Sequence, residues 1–253
     1  MGNHFIELNE WGDKVALVIH SGSRHLGKQI AEHYQNQAYD ELLEKWRETE
    51  RQMEKLKKEG REKEIQDLKE SLETSRVTKD LAYLEGDSFQ AYLNDMKIAQ
   101  YFALVNRKAM IQEITDRMGW KVIDSFTTIH NYIDLDHMIL RKGAISAQKD
   151  ERVIIPMNMR DGSIIAIGKG NPDWNYSAPH GAGRLMSRRQ AKTKLSMKEF
   201  KKEMKHVWST SVVPGTLDES PMAYKPMEEI IARIKDTVTI ERIISPLYNF
   251  KAH

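Results

Sequence analysis

The sequence contains no cysteine. That excludes disulfides, iron–sulfur clusters and thiolate metal sites built from this chain alone, and it fits a reducing compartment. Long hydrophobic runs are also missing: nothing approaches the ~20 apolar residues a membrane helix needs. The N-terminus lacks a basic segment followed by an apolar one, so no secretory signal is read there. Net charge is small, +2 over 253 residues, so any nucleic-acid surface must come from local clustering. These absences predict a soluble, cytoplasmic chain without a membrane partner, long enough for one large domain or two small ones.

What stands out is Ser177 to Lys192, reading SAPHGAGRLMSRRQAK. His180 lies between Pro179 and the small residues Gly181, Ala182 and Gly183, and Arg184, Arg188, Arg189, Lys192 and Lys194 follow closely. Glycines let backbone approach a bulky anion, and guanidinium forks grip phosphate oxygens. If the segment after Gly183 is helical, Arg184 and Arg188 share a face one turn apart. A histidine beside such a cradle can bind phosphate, relay protons or attack phosphorus. The plainer reading is a surface turn leading into a basic helix.

Elsewhere, residues 5–8 and 14–20 read as strands joined through Gly12-Asp13. His4 precedes the first strand, and His20 ends the second before the small Ser21, Gly22 and Ser23. Leu26 to Tyr39 reads as a helix. The charged stretch Leu42 to Leu72 carries two separate apolar stripes, predicting a helical hairpin over about 41–75 that reverses at Gly60. Tyr83 to Met118 reads as a loop and a long core-packed helix ended by Gly119. Lys121 to Ile133 is extended and contains His130. Residues 153–156 and 163–168 predict a strand hairpin around Asp161-Gly162. Ser196 with Glu199 forms a capping box for a helix ending near Trp208. A short helix over Pro226 to Lys235 and a strand over Val238 to Ile244 complete an α+β pattern.

HGAGRLMSR resembles the signature of the RtcB family of RNA-splicing ligases. So do NHFIE (Asn3 to Glu7), HSGSR (His20 to Arg24), DMKIAQYFALVNR (Asp95 to Arg107), HNY (His130 to Tyr132), RKGAIS (Arg141 to Ser146), AYK (Ala223 to Lys225) and the final Lys251. The blocks follow family order over the whole chain. The resemblance implies an RtcB-like catalytic domain over 1–253, with mixed or antiparallel sheets and the helical hairpin as an insertion. It implies GTP, a pair of Mn²⁺ ions, and RNA partners bearing 3′-phosphate or 2′,3′-cyclic phosphate and 5′-hydroxyl ends. In the family the cyclic phosphate is hydrolysed, a histidine matched by His180 is guanylylated, GMP passes to the RNA 3′-phosphate, and the 5′-hydroxyl displaces it.

Position by position, the resemblance places His4, His20 and His130 on metal-ligand positions; His137, seven residues past His130, is a decoy. Arg24, Arg184, Arg188 and Lys142 match the phosphate-handling cations. Asn3, Glu7, Asn158, Ser163, Gly181, Ala182, Gly183, Tyr224 and Lys251 fall at nucleotide-contacting positions, with Glu7, Tyr224 and Lys251 nearest the base. Asn106 and Arg107 lie in a family block but are not expected as contacts. Three departures are visible: MNMRDGS replaces the family's GSMGTPS, Pro179 stands where many members have Cys, and NHF follows Met1-Gly2 directly. Family members carry a further N-terminal portion whose DxGCG motif supplies an Asp and a Cys to the metals. The alternative is therefore a non-catalytic module that binds guanine nucleotide or RNA and relies on a partner chain carrying that motif.

Overall fold

The computed structural model describes residues 4–71 and 78–251. Asn3 and the expected end of the helical hairpin lie outside the described residues. Helices combine with three small antiparallel sheets in an α+β arrangement. The chain divides into two compact units: one takes in the chain up to Gly22 and from Ala103 onward, and the other is Ser23–Phe102. Among the described residues no helix is long and apolar enough to cross a membrane.

In the first unit, β1 (Phe5–Trp11) and β2 (Lys14–His20) form a hairpin, and β1 also pairs antiparallel with β9 (Pro246–Lys251). Gly12, at φ 61°, closes a turn so tight that pairing runs out to Trp11 and Lys14. This carries β1 three residues beyond the strand expected from its apolar alternation. A second sheet takes β3 (His130–Asp134), β4 (Ile139–Ser146) and β7 (Ser177–Pro179) in the order β3-β4-β7. The rest of Lys121 to Ile133, expected to be extended, joins no ladder before His130. The third sheet joins β5 (Arg152–Asn158), β6 (Gly162–Gly168) and β8 (Val238–Ile244), with the hairpin turn at the Asp161-Gly162 position. Its near-continuous Val and Ile run is buried with α6 (Met227–Arg233), Val153, Ile155, Ile164, Ile230 and Ile234 forming the main core.

Two short helices follow the His180 segment. α4 (Arg188–Lys194) starts at a capping box formed by Ser187 and Gln190, and α5 (Met197–Glu203) is capped by Ser196. Helix α5 stops five residues short of Trp208. Trp208 is instead drawn onto β9, donating its N–H to Leu247 O and accepting from Asn249 N. Phe200 and Met204 of this region are buried with Met159, Val207 and Leu217.

In the second unit, α1 (Arg24–Lys58) is one continuous 35-residue helix rather than two, and α2 (Glu62–Ser71) packs back along it. The reversal is at Gly60, φ 71°, with Arg61 N donating to Leu56 O. The long helix α3 (Gly86–Met118) begins in this unit and ends at Gly119, φ 64°. Gln37 and Glu41 bond to Ser88, and Lys45 pairs with Glu85, so α1 is anchored to the start of α3 up to that point. Beyond it the helical pair is mostly exposed charge. Replacing residues 50–76 with a short Gly-Ser link is expected to leave the thermal melt of the first unit within a few degrees of the parent. A global loss of cooperative melting would show that the pair is part of the core.

Candidate active site

Backbone pairing brings histidines from two sheets together. His20 ends β2 opposite Phe5 of β1, and His4 immediately precedes β1. His130 opens β3 opposite Ile145 of β4. Strand β7 pairs with β4 at Ala144 and Pro179, which delivers His180 one residue beyond the ladder. The His20 and His130 Nε2 atoms stand 3.2 Å apart, and the His130 ring stacks on His180 with centroids 5.0 Å apart. Burial, reinforced by the neighbouring His130, His4, Lys251 and His180, pushes His20 down to about 3. Burial and the nearby His180 lower His130 as well. Both are therefore neutral imidazoles near neutral pH. Asn106 donates to Ser21 Oγ and Gly22 O, and Arg107 to Ser21 O, fixing the loop through which the chain leaves His20. Sequence reasoning gave neither residue a part in the site.

His180 has one tautomer built in. Its Nδ1 lies 2.7 Å from Gly143 O, an acceptor, so Nδ1 carries the proton in the neutral ring and Nε2 keeps its lone pair. Gly143 is held in turn by Asn131 Oδ1, 2.6 Å from its N–H. The loop after His180 is clamped by backbone: Ala182 N donates to Pro156 O, and Gly183 O accepts from Lys225 N. A Cβ on Gly181 would meet Pro156 O at 3.0 Å, and Gly183 sits at φ 70°, so small residues are required here.

The cations after Gly183 do not share a helical face. Arg184 is in an isolated bridge with Tyr224, and the helix starts only at Arg188. The two converge instead on the Asp218-Glu219 segment. Arg184 donates to Tyr224 OH, Met186 O and Asp218 O. Arg188 donates to Asp218 Oδ2 at 2.8 Å and to Glu219. Glu219 Oε2 also accepts from Tyr224 OH at 2.5 Å and from Lys251 Nζ at 2.8 Å. This carboxylate, which the sequence reading passed over, is the hub of the network. Lys142 is exposed on β4, whereas its neighbour Arg141 is buried and bonded to Asp134, Tyr132 and Ser177. Arg24 opens α1 in the other unit and is exposed.

At the positions expected to meet a base, Glu7 is buried and accepts from Asn249 Nδ2 at 2.5 Å across the β1–β9 pair. Burial pushes its pKa up to about 7 against the opposing effect of Asn249, Asn9 and Lys251. Glu7 Oε1 and Ser163 Oγ are both buried without a hydrogen-bond partner among the described residues. Such atoms are rare in folded proteins and are usually met by a ligand or water. Asn158 is different. Its amide donates to Asp161 and its carbonyl accepts from the N–H groups of Arg160 and Asp161, so it closes the β5–β6 turn.

Among the described residues no set of three His, Asp or Glu side chains converges as a finished metal site. What converges is the His20–His130 pair.

A family model described as tRNA-splicing ligase RtcB matches residues 1–252. The RNA-splicing ligase RtcB of Escherichia coli K12 is 32% identical, over 94% of this chain and 57% of the relative. The tRNA-splicing ligases RtcB of Aeropyrum pernix and Nanoarchaeum equitans are each 26% identical, over 96% of this chain and 56% of their own length. The chain thus spans little more than half the length of the curated relatives it matches.

Proposed function

The chain belongs to the RtcB family, and from that premise we propose that it forms the nucleotide-binding and nucleophile-bearing part of a GTP- and Mn²⁺-dependent RNA ligase. Its substrates are RNA ends bearing 3′-phosphate or 2′,3′-cyclic phosphate and 5′-hydroxyl. The observation that carries this reading is His180, whose Nδ1 is committed to Gly143 O and whose ring stacks on His130, itself paired with His20. In this reading Nε2 attacks the α-phosphorus of GTP, a P–N bond forms, and the bond to the pyrophosphate leaving group breaks.

The residues support part of a site for each group the family requires. Two nitrogen ligands on one ion, each at ~2.1 Å, stand roughly 3 Å apart, which is the spacing found between the His20 and His130 Nε2 atoms. His20 and His130, with His4 beside them, would hold the metal, which when bound neutralises phosphate charge. Glu7, Ser163, Tyr224 and Lys251 would hold the nucleotide. Guanine presents neighbouring N–H donors, and Glu7 offers a buried carboxylate with one oxygen unpaired.

The metal shell needs further ligands. A cysteine-free chain has no thiolate to give, and that favours a second reading in which this chain acts with a partner carrying DxGCG. Guanylylation by the chain alone and with such a fragment in trans separates the two.

The buried Glu7 also gives a pH signature. Its pKa rises from 4.5 unfolded to about 7 folded, so between those values the native state holds a proton that the unfolded state lacks. Stability therefore falls as pH rises from about 4.5 to about 7 and is flat above, by on the order of 3 kcal/mol at most. Glu7→Gln should remove that fall in denaturant titrations across the window. An unchanged slope would mean that Glu7 is ionised in the folded protein throughout.

A further inference from the structure

We propose that α4, α5 and Trp208 form a landing strip for single-stranded RNA leading away from His180. The proposal rests on the reading of RNA as substrate and adds where a strand lies on this chain. Between Arg188 and Trp208 the sequence has eight lysines and arginines against two glutamates, in a chain whose net charge is +2. The two glutamates are already engaged: Glu199 accepts from Ser196 Oγ at the α5 cap, and Glu203 pairs with Arg160.

Lys198, Lys201, Lys202 and Lys205 recur at i, i+3, i+4 and i+7, and all are exposed. Among the described residues neither they nor Lys194 has an ion-pair partner, whereas Arg188 and Lys192 turn toward Asp218. Lys198, Lys201 and Lys202 lie on α5 and Lys205 in the turn just after it; uncompensated like charges this close repel one another, and a polyanion relieves that repulsion. The opposite face of α5 is spent in the core, with Phe200 and Met204 buried, so no apolar face is left to enter a membrane.

The strip ends at an aromatic platform. Trp208 is 71% exposed, yet its backbone is locked to β9 by two hydrogen bonds and its ring lies 5.1 Å from Tyr248. An exposed indole with an anchored backbone, following a run of cations in the chain, offers the two groups that bind unpaired bases and their phosphates together. A duplex, with its bases already stacked, does not use it.

The test is fluorescence anisotropy of a labelled single-stranded RNA oligonucleotide on the full chain at several salt concentrations. Each variant is first checked by circular dichroism. The quadruple substitution K198A/K201A/K202A/K205A should flatten the slope of log K against log salt by about 2 to 3. Trp208→Ala should weaken binding roughly 5- to 100-fold with little change in slope, and Trp208→Phe should restore most of it. An abasic oligonucleotide should bind the parent and Trp208→Ala alike. If the parent binds RNA and both sets of variants match it, the strip is overturned while the substrate reading stands. If lysine removal weakens RNA and heparin equally and Trp208→Ala has no effect, the face is a general polyanion patch and the proposal fails. No RNA binding by the parent would overturn both.

Discussion

His180→Ala is expected to abolish the covalent guanylate that forms with GTP and Mn²⁺. The label on the parent should be acid-labile and base-stable, as a phosphoramidate is. The loss should be complete rather than partial, because the proposed mechanism uses the Nε2 lone pair as the attacking group. His130 and His20 present their Nε2 atoms to each other, and both are half-buried. His137 is the control: it is exposed in the turn between β3 and β4, bonded only to Asp134 among the described residues. His137→Ala should label like the parent. The measurement is radiolabel transfer from GTP, with the DxGCG fragment supplied so that a weak metal site does not limit the result. Full labelling of His180→Ala would remove the mechanism.

Glu219→Ala is expected to be the most destabilising single substitution in the site. Burial alone would raise this carboxyl, but Lys251, Tyr224 and Arg188 outweigh it and hold it below its ordinary value. Lys251 and Glu219 are nearly inaccessible, with side-chain exposures of 4% and 8%. Removing the carboxylate takes away the acceptor that the buried Lys251 ammonium and the half-buried Tyr224 hydroxyl share. Breaking such a pair from one side costs about 3–5 kcal/mol. For a chain of this size that is roughly a 6–20 °C fall in melting temperature. The sign with pH follows from the lowered pKa: Glu219 stabilises above the unfolded carboxylate range, and that contribution is lost as pH falls through its lower folded value. Glu219→Ala melting within a degree or two of the parent would show that the hub is dispensable.

Much of the fold was legible because its signals are local. The strand Val238 to Ile244, the hairpin at Asp161-Gly162, the reversal at Gly60 and the stop at Gly119 were each marked by pattern or punctuation. The errors arose where a distant strand decided the outcome. Helix α5 ends early because β9 captures Trp208, and Arg184 leaves the helix because Tyr224 pairs with it. The two segments that the sequence split at Tyr39 fuse into α1, since nothing between Tyr39 and Leu42 breaks a helix.

In the site, the histidines could be named from motif blocks, but their meeting could not be read from spacing. His20 and His130 are 110 residues apart and come from different sheets. Asn249 and Glu219 carried no usable signal, and Asn106 and Arg107 had only their place in a motif block. Each acts by holding another residue, and that becomes visible only when the partner is in place. Asn158 shows the reverse: a position matched to a nucleotide contact also holds its own turn, a role its motif block did not indicate.

The central claim is that His180 is the atom-level nucleophile of this chain. Its most direct test is mass-spectrometric mapping of the guanylate on the unsubstituted protein, incubated with GTP, Mn²⁺ and the DxGCG fragment. The account predicts one modified peptide, spanning Ser177 to Arg184, with the adduct on His180. A guanylate found on any other residue, with metal and nucleotide demonstrably bound, would contradict it.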